Sequence, residues 1–293
     1  MRGGLCLSLI ACAAAAGCGV RLDGERPNPG DPDAQPGGGD AMTFNPWGTP
    51  ARVAGADTTA PEDDGSMTSS MLEMVFAVPD PANNNNKDLW YMSRTSPTAL
   101  WGAPVKLGFN VTQGDETPRF APDDLTLYFA SGRAGGPGNL DIYRVTRTAV
   151  GPTATWSAPA LVPGVSTAGV DKWFVPCPGG TTYMTILGND VGEGTLGNPP
   201  TVCAELSSSF GETGTFLSQD CKTIYFASTR GGPNRIYTAT RPAVGMPWSA
   251  PVVVDAFQLL GGNQEDPWLS SDQRTLLFVS DAAGSKDVYI STR

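Results

Sequence analysis

Acidic residues recur at similar positions along a chain of 293 residues that contains no histidine. They open five sequence repeats and are Glu62 and Asp63, Asp115 and Glu116, Asp171, Glu212, and Glu265 and Asp266. Carboxylate oxygens are the ligands that Ca²⁺ prefers, and two carboxyl groups at a suitable separation can hydrolyse a glycosidic bond. Neither chemistry requires histidine. Its absence excludes Ser-His-Asp and Cys-His nucleophilic sites and histidine-ligated zinc.

Two interpretations of these acids are open. If the elements that carry them converge, the carboxylates form a site for a ligand or a hard cation, with Ca²⁺ as the cofactor. If each acid instead caps its own loop, the acids are structural and the protein has no cofactor. The acids occur in every repeat rather than in one or two, which favours the structural role.

The repeats themselves predict how the acids are positioned. Three copies align directly: ETPRFAPDDLTLYFASGR from Glu116, ETGTFLSQDCKTIYFASTR from Glu212 and EDPWLSSDQRTLLFVSDAAG from Glu265. Two weaker copies begin at Glu62 and Asp171. Each copy reads as two strands around a polar turn. A third strand follows, as in KDLWYMSR from Lys87, and Trp-x-x-Pro motifs at Trp47, Trp101, Trp156 and Trp248 each precede a fourth.

Four short strands in each unit of roughly 50 residues predict an all-β, five-bladed β-propeller. The last repeat reaches Arg293 without a Trp-x-x-Pro strand, whereas the motif at Trp47 precedes the first repeat. We therefore expect residues 44–56 to supply the outer strand of the last blade and to close the ring. In this fold the repeated acids would surround one mouth of the central channel.

The best copies, FAPDDLTLYFASGRAGGPGNLDIYRVTR (120–147) and FLSQDCKTIYFASTRGGPNRIYTATR (216–241), resemble a known repeat. They are similar to the WD-like repeats of the Tol-associated periplasmic propeller and of many exported bacterial lipoproteins. This resemblance implies a propeller that serves as a scaffold. The Tol-associated protein has six blades and a separate domain, so the resemblance does not extend to its partners.

The N-terminus reads as an export signal. Met1-Arg2 precedes an apolar run from Leu5 to Ala16, too short to span a bilayer. The sequence AAGC ending at Cys18 resembles a bacterial lipobox, although Ala15 stands where that motif usually has Leu. We expect a signal peptide at 1–17, a lipidated Cys18 followed by a disordered linker to 43, and a propeller at 44–293. Cleavage by ordinary signal peptidase near Ala15 is the alternative.

Three cysteines lie beyond the leader: Cys177, Cys203 and Cys221. An exported chain with three such residues is expected to form one disulfide and leave one free thiol. Cys177 and Cys221 fall in the same first hairpin of adjacent repeats, which favours their pairing. Their number and spacing do not fit a zinc or iron–sulfur site.

The chain is acidic, with a net charge of −10, and has no basic run that would bind nucleic acid. Taken together, these features predict a lipid-anchored, non-catalytic scaffold in the cell envelope. Its expected partner is an envelope protein or a glycan, and its only membrane contact would be the lipid. Gly19 in place of Asp favours the outer membrane. The alternative is a glycosidase that uses the channel carboxylates.

Overall fold

The computed structural model describes residues 46–56, 60–258 and 260–293. The expected signal peptide, Cys18 and the linker lie outside these residues. Within them the protein is all-β apart from one short α-helix, α1 (Asp255–Gln258), and one turn of 3₁₀ helix at Pro81–Asn83.

The strands form five antiparallel sheets of four strands each. The first sheet contains β2 (Asp63–Met67), β3 (Glu73–Pro79), β4 (Lys87–Ser93) and β5 (Val105–Lys106). The second contains β6 (Asp115–Phe120), β7 (Thr126–Ser131), β8 (Asp141–Thr146) and β9 (Ala160–Leu161). The third contains β10 (Asp171–Pro176), β11 (Thr182–Leu187), β12 (Asp190–Thr195) and β13 (Thr201–Val202). The fourth contains β14 (Glu212–Leu217), β15 (Thr223–Ser228), β16 (Arg235–Thr240) and β17 (Val252–Val253). The fifth contains β18 (Gln264–Leu269), β19 (Thr275–Ser280), β20 (Asp287–Thr292) and β1 (Ala51–Arg52).

These sheets are the blades of a five-bladed β-propeller, as the repeats predict. The expected closure of the ring is confirmed, because β1 pairs antiparallel with β20 through Ala51 opposite Ile290 and Arg52 opposite Tyr289. A sheet edge that would otherwise be unpaired is thereby covered.

Aromatic pairs recur between the second and third strands of blades two, four and five. The ring centroids of Phe129 and Tyr143 are 6.4 Å apart, those of Phe226 and Tyr237 are 6.1 Å apart, and those of Phe278 and Tyr289 are 5.8 Å apart. All six side chains are buried. The tyrosine and phenylalanine of the repeat therefore form a hydrophobic core that is copied from blade to blade.

Each innermost strand contains a β-bulge near its start. The register of pairing shifts there in all five blades, and the residue at the bulge has a positive φ. These residues are Asp64, Thr117, Trp173, Gly214 and Asp266. A bulge inserts one extra residue and turns the following side chains relative to the sheet, so it decides which side chains point into the channel.

The innermost strands all begin at one face of the propeller and end at the opposite face, which we call the far face. Cys177 and Cys221 form a disulfide between blades three and four, whereas Cys203 is a free, buried thiol. Burial raises the pKa of Cys203 to about 12, so the thiol is protonated at neutral pH. Among the described residues, none of the helices is long and apolar enough to cross a membrane.

Candidate functional site

In blades two, three and four, the first acid of the repeat turns away from the channel and binds its own loop. Asp115 accepts a hydrogen bond from the Val111 amide at 2.8 Å and pairs with Arg133 at 2.7 Å. Asp171 accepts from the Thr167 amide at 2.7 Å. Glu212, at the same position of blade four, accepts from Ser208 Oγ at 2.5 Å. Three of the predicted site residues thus hold loops. Glu62, which precedes β2, is also fully buried.

The bulge brings the first two residues of β2, and the second and third residues of β18, to the channel axis. Asp63 and Asp64 of blade one and Asp266 of blade five place carboxylate oxygens within 4.8 Å of one another, and all three residues are buried. Glu116 and Glu265, the second residues of their strands, lie at the same mouth with side chains 15% and 21% exposed. These five carboxyl groups define the acidic mouth of the channel.

Lysines from neighbouring elements pair with these carboxylates. Lys87, the first residue of β4, places Nζ 2.7 Å from Asp63 Oδ2 and 3.1 Å from Asp64 Oδ2. Lys286, just before β20, places Nζ 3.1 Å from Asp63 Oδ2 and 2.6 Å from Glu265 Oε2. Both lysines therefore bind the same oxygen of Asp63. Neither lysine binds the other oxygen, Oδ1, and the Asp63 carboxylate also shares a hydrogen bond with the carboxyl group of Asp266.

Polar contacts continue around the mouth through every blade, as ion pairs except in blade four, which contributes a hydrogen bond. Glu116 lies 3.5 Å from Lys87 and 3.1 Å from Lys172 of blade three. On the other side, Glu265 accepts a hydrogen bond from Asn234 Nδ2 of blade four at 3.2 Å. Partly buried ion pairs of this kind depend on one another, because Lys87 and Lys286 each pair with more than one carboxylate.

The pKa values of Asp63 and Asp266 are shifted in opposite directions. Burial raises the pKa of Asp63, but the ammonium groups of Lys87 and Lys286 outweigh it and leave this pKa below its usual value. Burial, together with the charges of Asp64 and Asp63, raises the pKa of Asp266 well above its usual value. Asp63 is therefore ionised and Asp266 holds a proton over a wide pH range.

Two further residues complete the site. Arg119 of β6 is fully buried and is attracted electrostatically to Asp266 and Asp64. Trp173 donates its indole N–H to Asp64 Oδ1 at 2.9 Å. The four basic side chains Lys87, Lys172, Lys286 and Arg119 thus lie among the four carboxyl groups of Asp63, Asp64, Glu116 and Glu265.

Sequence reasoning missed Asp64, Arg119 and the three lysines. A signal for two of the lysines exists, since a Lys-Asp pair opens the third strand of blade one at Lys87 and that of blade five at Lys286. These two blades are neighbours in the closed ring. The pattern could have placed both lysines at one mouth.

The three clustered carboxylates do not fit a divalent cation as they stand. The Nζ atom of Lys87 already lies within 3.1 Å of both Asp63 and Asp64. An ammonium group there supplies the positive charge that a Ca²⁺ ion would bring, and a nearby divalent cation would be repelled. The residues therefore favour a site compensated by lysine over the expected Ca²⁺ site.

The two channel tryptophans lie at opposite ends. Trp173 is at the acidic mouth, whereas Trp268 of β18 lines a pocket near the far face. That pocket is small, with a cavity volume of about 50 Å³, and residues from all five blades line it. Met67, Phe120, Val175 and Phe216 are among them. The channel thus has a charged end and an apolar end.

Comparison with known proteins shows similarity in fold. No known protein family and no curated protein matches the chain. The catalytic domain of a Coprinopsis cinerea GH62 α-L-arabinofuranosidase is similar with a TM-score of 0.56 at 13% identity, covering 84% of this chain and 96% of that one. An endo-arabinase from Bacteroides thetaiotaomicron has a TM-score of 0.53 at 11% identity, covering 85% and 98%. TolB from Agrobacterium tumefaciens has a TM-score of 0.48 at 16% identity, covering 79% and 76%.

These comparisons correct the prediction of a non-catalytic scaffold. The solved structures that are similar at TM-scores above 0.5 include several glycoside hydrolases, at identities of 9% to 13%. They favour the alternative that the sequence left open, a carboxylate enzyme. Likeness at this identity establishes the propeller fold alone. An enzymatic function has to be argued from the carboxyl groups at the acidic mouth.

Proposed function

We propose that the protein is a glycoside hydrolase whose reacting groups are Asp63 and Asp266 at the acidic mouth. The observation that carries the proposal is the convergence of carboxyl groups from blades one and five, with oxygens within 4.8 Å. Arabinose-containing polysaccharides are the first substrate class to test, because two of the similar propellers are an arabinofuranosidase and an endo-arabinase.

The surroundings of the two residues support distinct roles. Lys87 and Lys286 both bind Oδ2 of Asp63, and neither binds Oδ1. This oxygen is the nucleophile. Asp266 is protonated because burial and the neighbouring carboxylates raise its pKa, and its carboxyl group shares a hydrogen bond with the Asp63 carboxylate. It is the proton donor.

The reaction then proceeds in two steps. Asp63 Oδ1 forms a bond to the anomeric carbon while the glycosidic C–O bond breaks, and the proton of Asp266 moves to the leaving oxygen. Water next attacks the anomeric carbon, gives its proton to Asp266 and releases Asp63. Carboxyl groups about 5 Å apart are typical of retaining glycosidases, whereas inverting enzymes need room for water between them. We therefore expect the product to retain its anomeric configuration.

The test compares two pairs of variants on chromogenic arabinosides and xylosides and on arabinan and xylan. Asp63→Asn and Asp266→Asn should each lower the rate by about 10²-fold or more. Asp115→Asn and Asp171→Asn are the controls, because these acids hold loops, and they should retain activity in the folded protein. NMR of the first product gives its configuration. A folded wild-type protein that hydrolyses none of these substrates would refute the proposal.

Export and lipid attachment at Cys18 form a second part of the proposal. The leader supports export, and so does the Cys177–Cys221 disulfide, since such bonds persist outside the reducing cytosol. The AAGC sequence supports lipidation, and Gly19 supports the outer membrane. Mass spectrometry of the N-terminal peptide from cell membranes tests this part. A large fall in membrane association in Cys18→Ala is the expected result, and an unmodified N-terminus beginning before Cys18 would contradict lipid attachment.

A further inference from the structure

The connections between the third and fourth strands expose one or two large aliphatic side chains in each of blades one to four. Leu100 is 82% exposed, Val150 58% and Leu196 43%, and blade four exposes Val244 at 43% and Met246 at 51%. Isolated apolar residues on a surface are ordinary. Here they recur at the same place in successive blades, which makes a rim rather than scattered positions.

All of these side chains lie on the far face. The innermost strands run from the acidic mouth to the far face, and the antiparallel third strands therefore end at the far face as well. The connections at 94–104, 147–159, 195–200 and 241–251 follow those strand ends. We call Leu100, Val150, Leu196, Val244 and Met246 the aliphatic rim.

The rim carries very little charge for a chain whose net charge is −10. The only charged residues in the four connections are Arg94, Arg147 and Arg241, at their first positions. Each guanidinium stacks on the tryptophan of its own blade, at 4.3, 4.8 and 4.2 Å from the ring centroid. No acidic residue lies in these connections, so their insertion among the headgroups desolvates no carboxylate. The exposed carboxylates of the far face, Asp123, Asp220 and Asp272, lie in the turns between the first and second strands.

The N-terminal segment also leaves the propeller at the far face. The amide of Gly48 donates to Thr292 O at 2.8 Å, and Ser291 Oγ donates to Gly48 O at 2.7 Å. Residues 46–50 therefore lie beside the end of β20. A lipid attached upstream at Cys18 would connect to the same face that carries the aliphatic rim.

We propose that the far face rests on the lipid bilayer, with the aliphatic rim inserted at the level of the headgroups and the acidic mouth facing away from the membrane. This inference rests on the proposed lipid attachment at Cys18 and is independent of the hydrolase activity. A flat surface can contact a rim spread over four blades at once. The lipid anchor raises the local concentration of the aliphatic rim at the membrane surface, so the weak insertions of its separate side chains act together.

The experiment uses the mature protein purified from membranes and reconstituted into phosphatidylcholine vesicles that contain doxyl-labelled lipid. A fluorophore is placed on a single added cysteine, since Cys203 is buried and Cys177 and Cys221 form a disulfide. Labels at Leu100→Cys and Met246→Cys should be quenched several-fold more than labels at Ala283→Cys, near the acidic mouth, or Val252→Cys, on an outer strand. Equal quenching at the four sites would overturn the proposal.

A second measurement separates rim contact from tethering. With the label at Thr153→Cys, changing Leu100, Val150, Leu196 and Met246 to Ser should abolish most of the quenching. The matched change of Val105, Val202 and Val252 to Ser, on outer strands, should leave it intact. If quenching is absent and the label is instead shielded in a concentration-dependent dimer, a second copy occupies the rim and the proposal is wrong.

A third measurement applies if Cys18 carries no lipid. If mass spectrometry finds no lipid, the same protein is sedimented with the vesicles. The proposal then predicts association that is about tenfold or more weaker in the rim-serine variant, because aliphatic burial contributes the affinity. No association of the wild-type protein would overturn the proposal, while activity on glycans would be unaffected by this outcome.

Discussion

The guanidinium carbon of Arg293 lies 4.2 Å from the centroid of the Trp47 ring. The same stack joins Arg94 to Trp101 at 4.3 Å within blade one. In blade five, however, the two residues come from opposite ends of the propeller sequence, so the repeated Arg–Trp stack also closes the ring. Arg293 further donates from Nε to Gln273 O at 2.8 Å.

Removal of this stack should loosen the N-terminal strand specifically. We expect Arg293→Ala and Arg94→Ala to lower the free energy of unfolding by similar amounts, about 1–2 kcal/mol, since each loses a cation–π contact and hydrogen bonds to the backbone. Only Arg293→Ala should speed tryptic cleavage after Arg52 in the native protein, because β1 opens locally. Equal cleavage rates in the two variants would show that Arg293 does not hold the closure.

The fold was predictable because each repeat contains short sequence motifs that correspond to particular strands. The Tyr-Phe-Ala-Ser of β7 and β15, the Trp-x-x-Pro motifs and the unpaired motif at Trp47 each correspond to a strand or a contact that recurs in the structure. Local pattern and overall architecture agree in such a protein, which is why strand number and ring closure could be derived from sequence.

The site was less predictable, because the one extra residue that the bulge inserts into each innermost strand decides which side chains point into the channel. The bulge places Asp64, Trp173 and Asp266 at positive φ. Asp and Trp do not indicate a left-handed backbone, a conformation that favours glycine. Among the five bulge residues, only Gly214 is a glycine. A regular strand would place alternate residues on one side. The bulge instead directs Asp115 to its loop and Asp266 to the axis.

The disulfide between blades three and four should contribute measurably to stability. Cys177 and Cys221 are separated by 44 residues in sequence, and closing a loop of that length in the unfolded chain corresponds to about 4 kcal/mol in the chain-entropy account. The double variant Cys177→Ser and Cys221→Ser should therefore unfold at lower urea concentration. Its midpoint should not respond to a reductant, whereas that of the wild type should fall. A wild-type midpoint that is insensitive to full reduction would contradict this expectation.

Asp266→Asn should stabilise the protein while abolishing activity. The pKa of Asp266 is raised in the folded state by burial and by the neighbouring carboxylates. Its contribution to stability is therefore fully present below the unfolded-state pKa and is lost as pH rises toward the folded-state pKa. Asparagine has no such dependence. The melting temperature of the variant should exceed that of the wild type at pH 8, and the difference should shrink toward pH 4.

The matched control for this change is Asp115→Asn. Asp115 pairs with Arg133 and binds the Val111 amide, so its replacement should destabilise the protein at pH 8. If Asp266→Asn also lowers the melting temperature at pH 8, the raised pKa does not describe this residue.

Divalent cations should have no effect on the wild-type protein. The Lys87 ammonium lies 2.7 Å from Asp63 and 3.1 Å from Asp64, where it neutralises the carboxylates that a cation would need. We expect the same melting temperature in EDTA and in millimolar Ca²⁺. A rise of several degrees with Ca²⁺ would show that the cluster binds a cation despite the lysine.

Lys87→Met should show how much the clustered carboxylates lower the stability of the folded protein when the Lys87 ammonium group is absent. Its side chain is 24% exposed and pairs with Asp63, Asp64 and Glu116. Methionine of similar length leaves these charges uncompensated, which should lower the free energy of unfolding by about 2 kcal/mol or more. Lys106→Met is the control: that lysine is 42% exposed and pairs with Asp80 and Asp88, so its loss should cost less than about 1 kcal/mol.

Two further observations identify the cause of the Lys87→Met defect. Adding Asp64→Asn should restore part of the lost stability, because it removes one of the repelling carboxylates while retaining an oxygen that accepts from Trp173 Nε1. The defect should also shrink as pH falls, because Lys87 helps to hold the pKa of Asp63 below its usual value, and without this lysine Asp63 takes up a proton at higher pH. If the defect is instead constant with pH and is not relieved by Asp64→Asn, Lys87 acts through packing of its aliphatic stem and not through its charge.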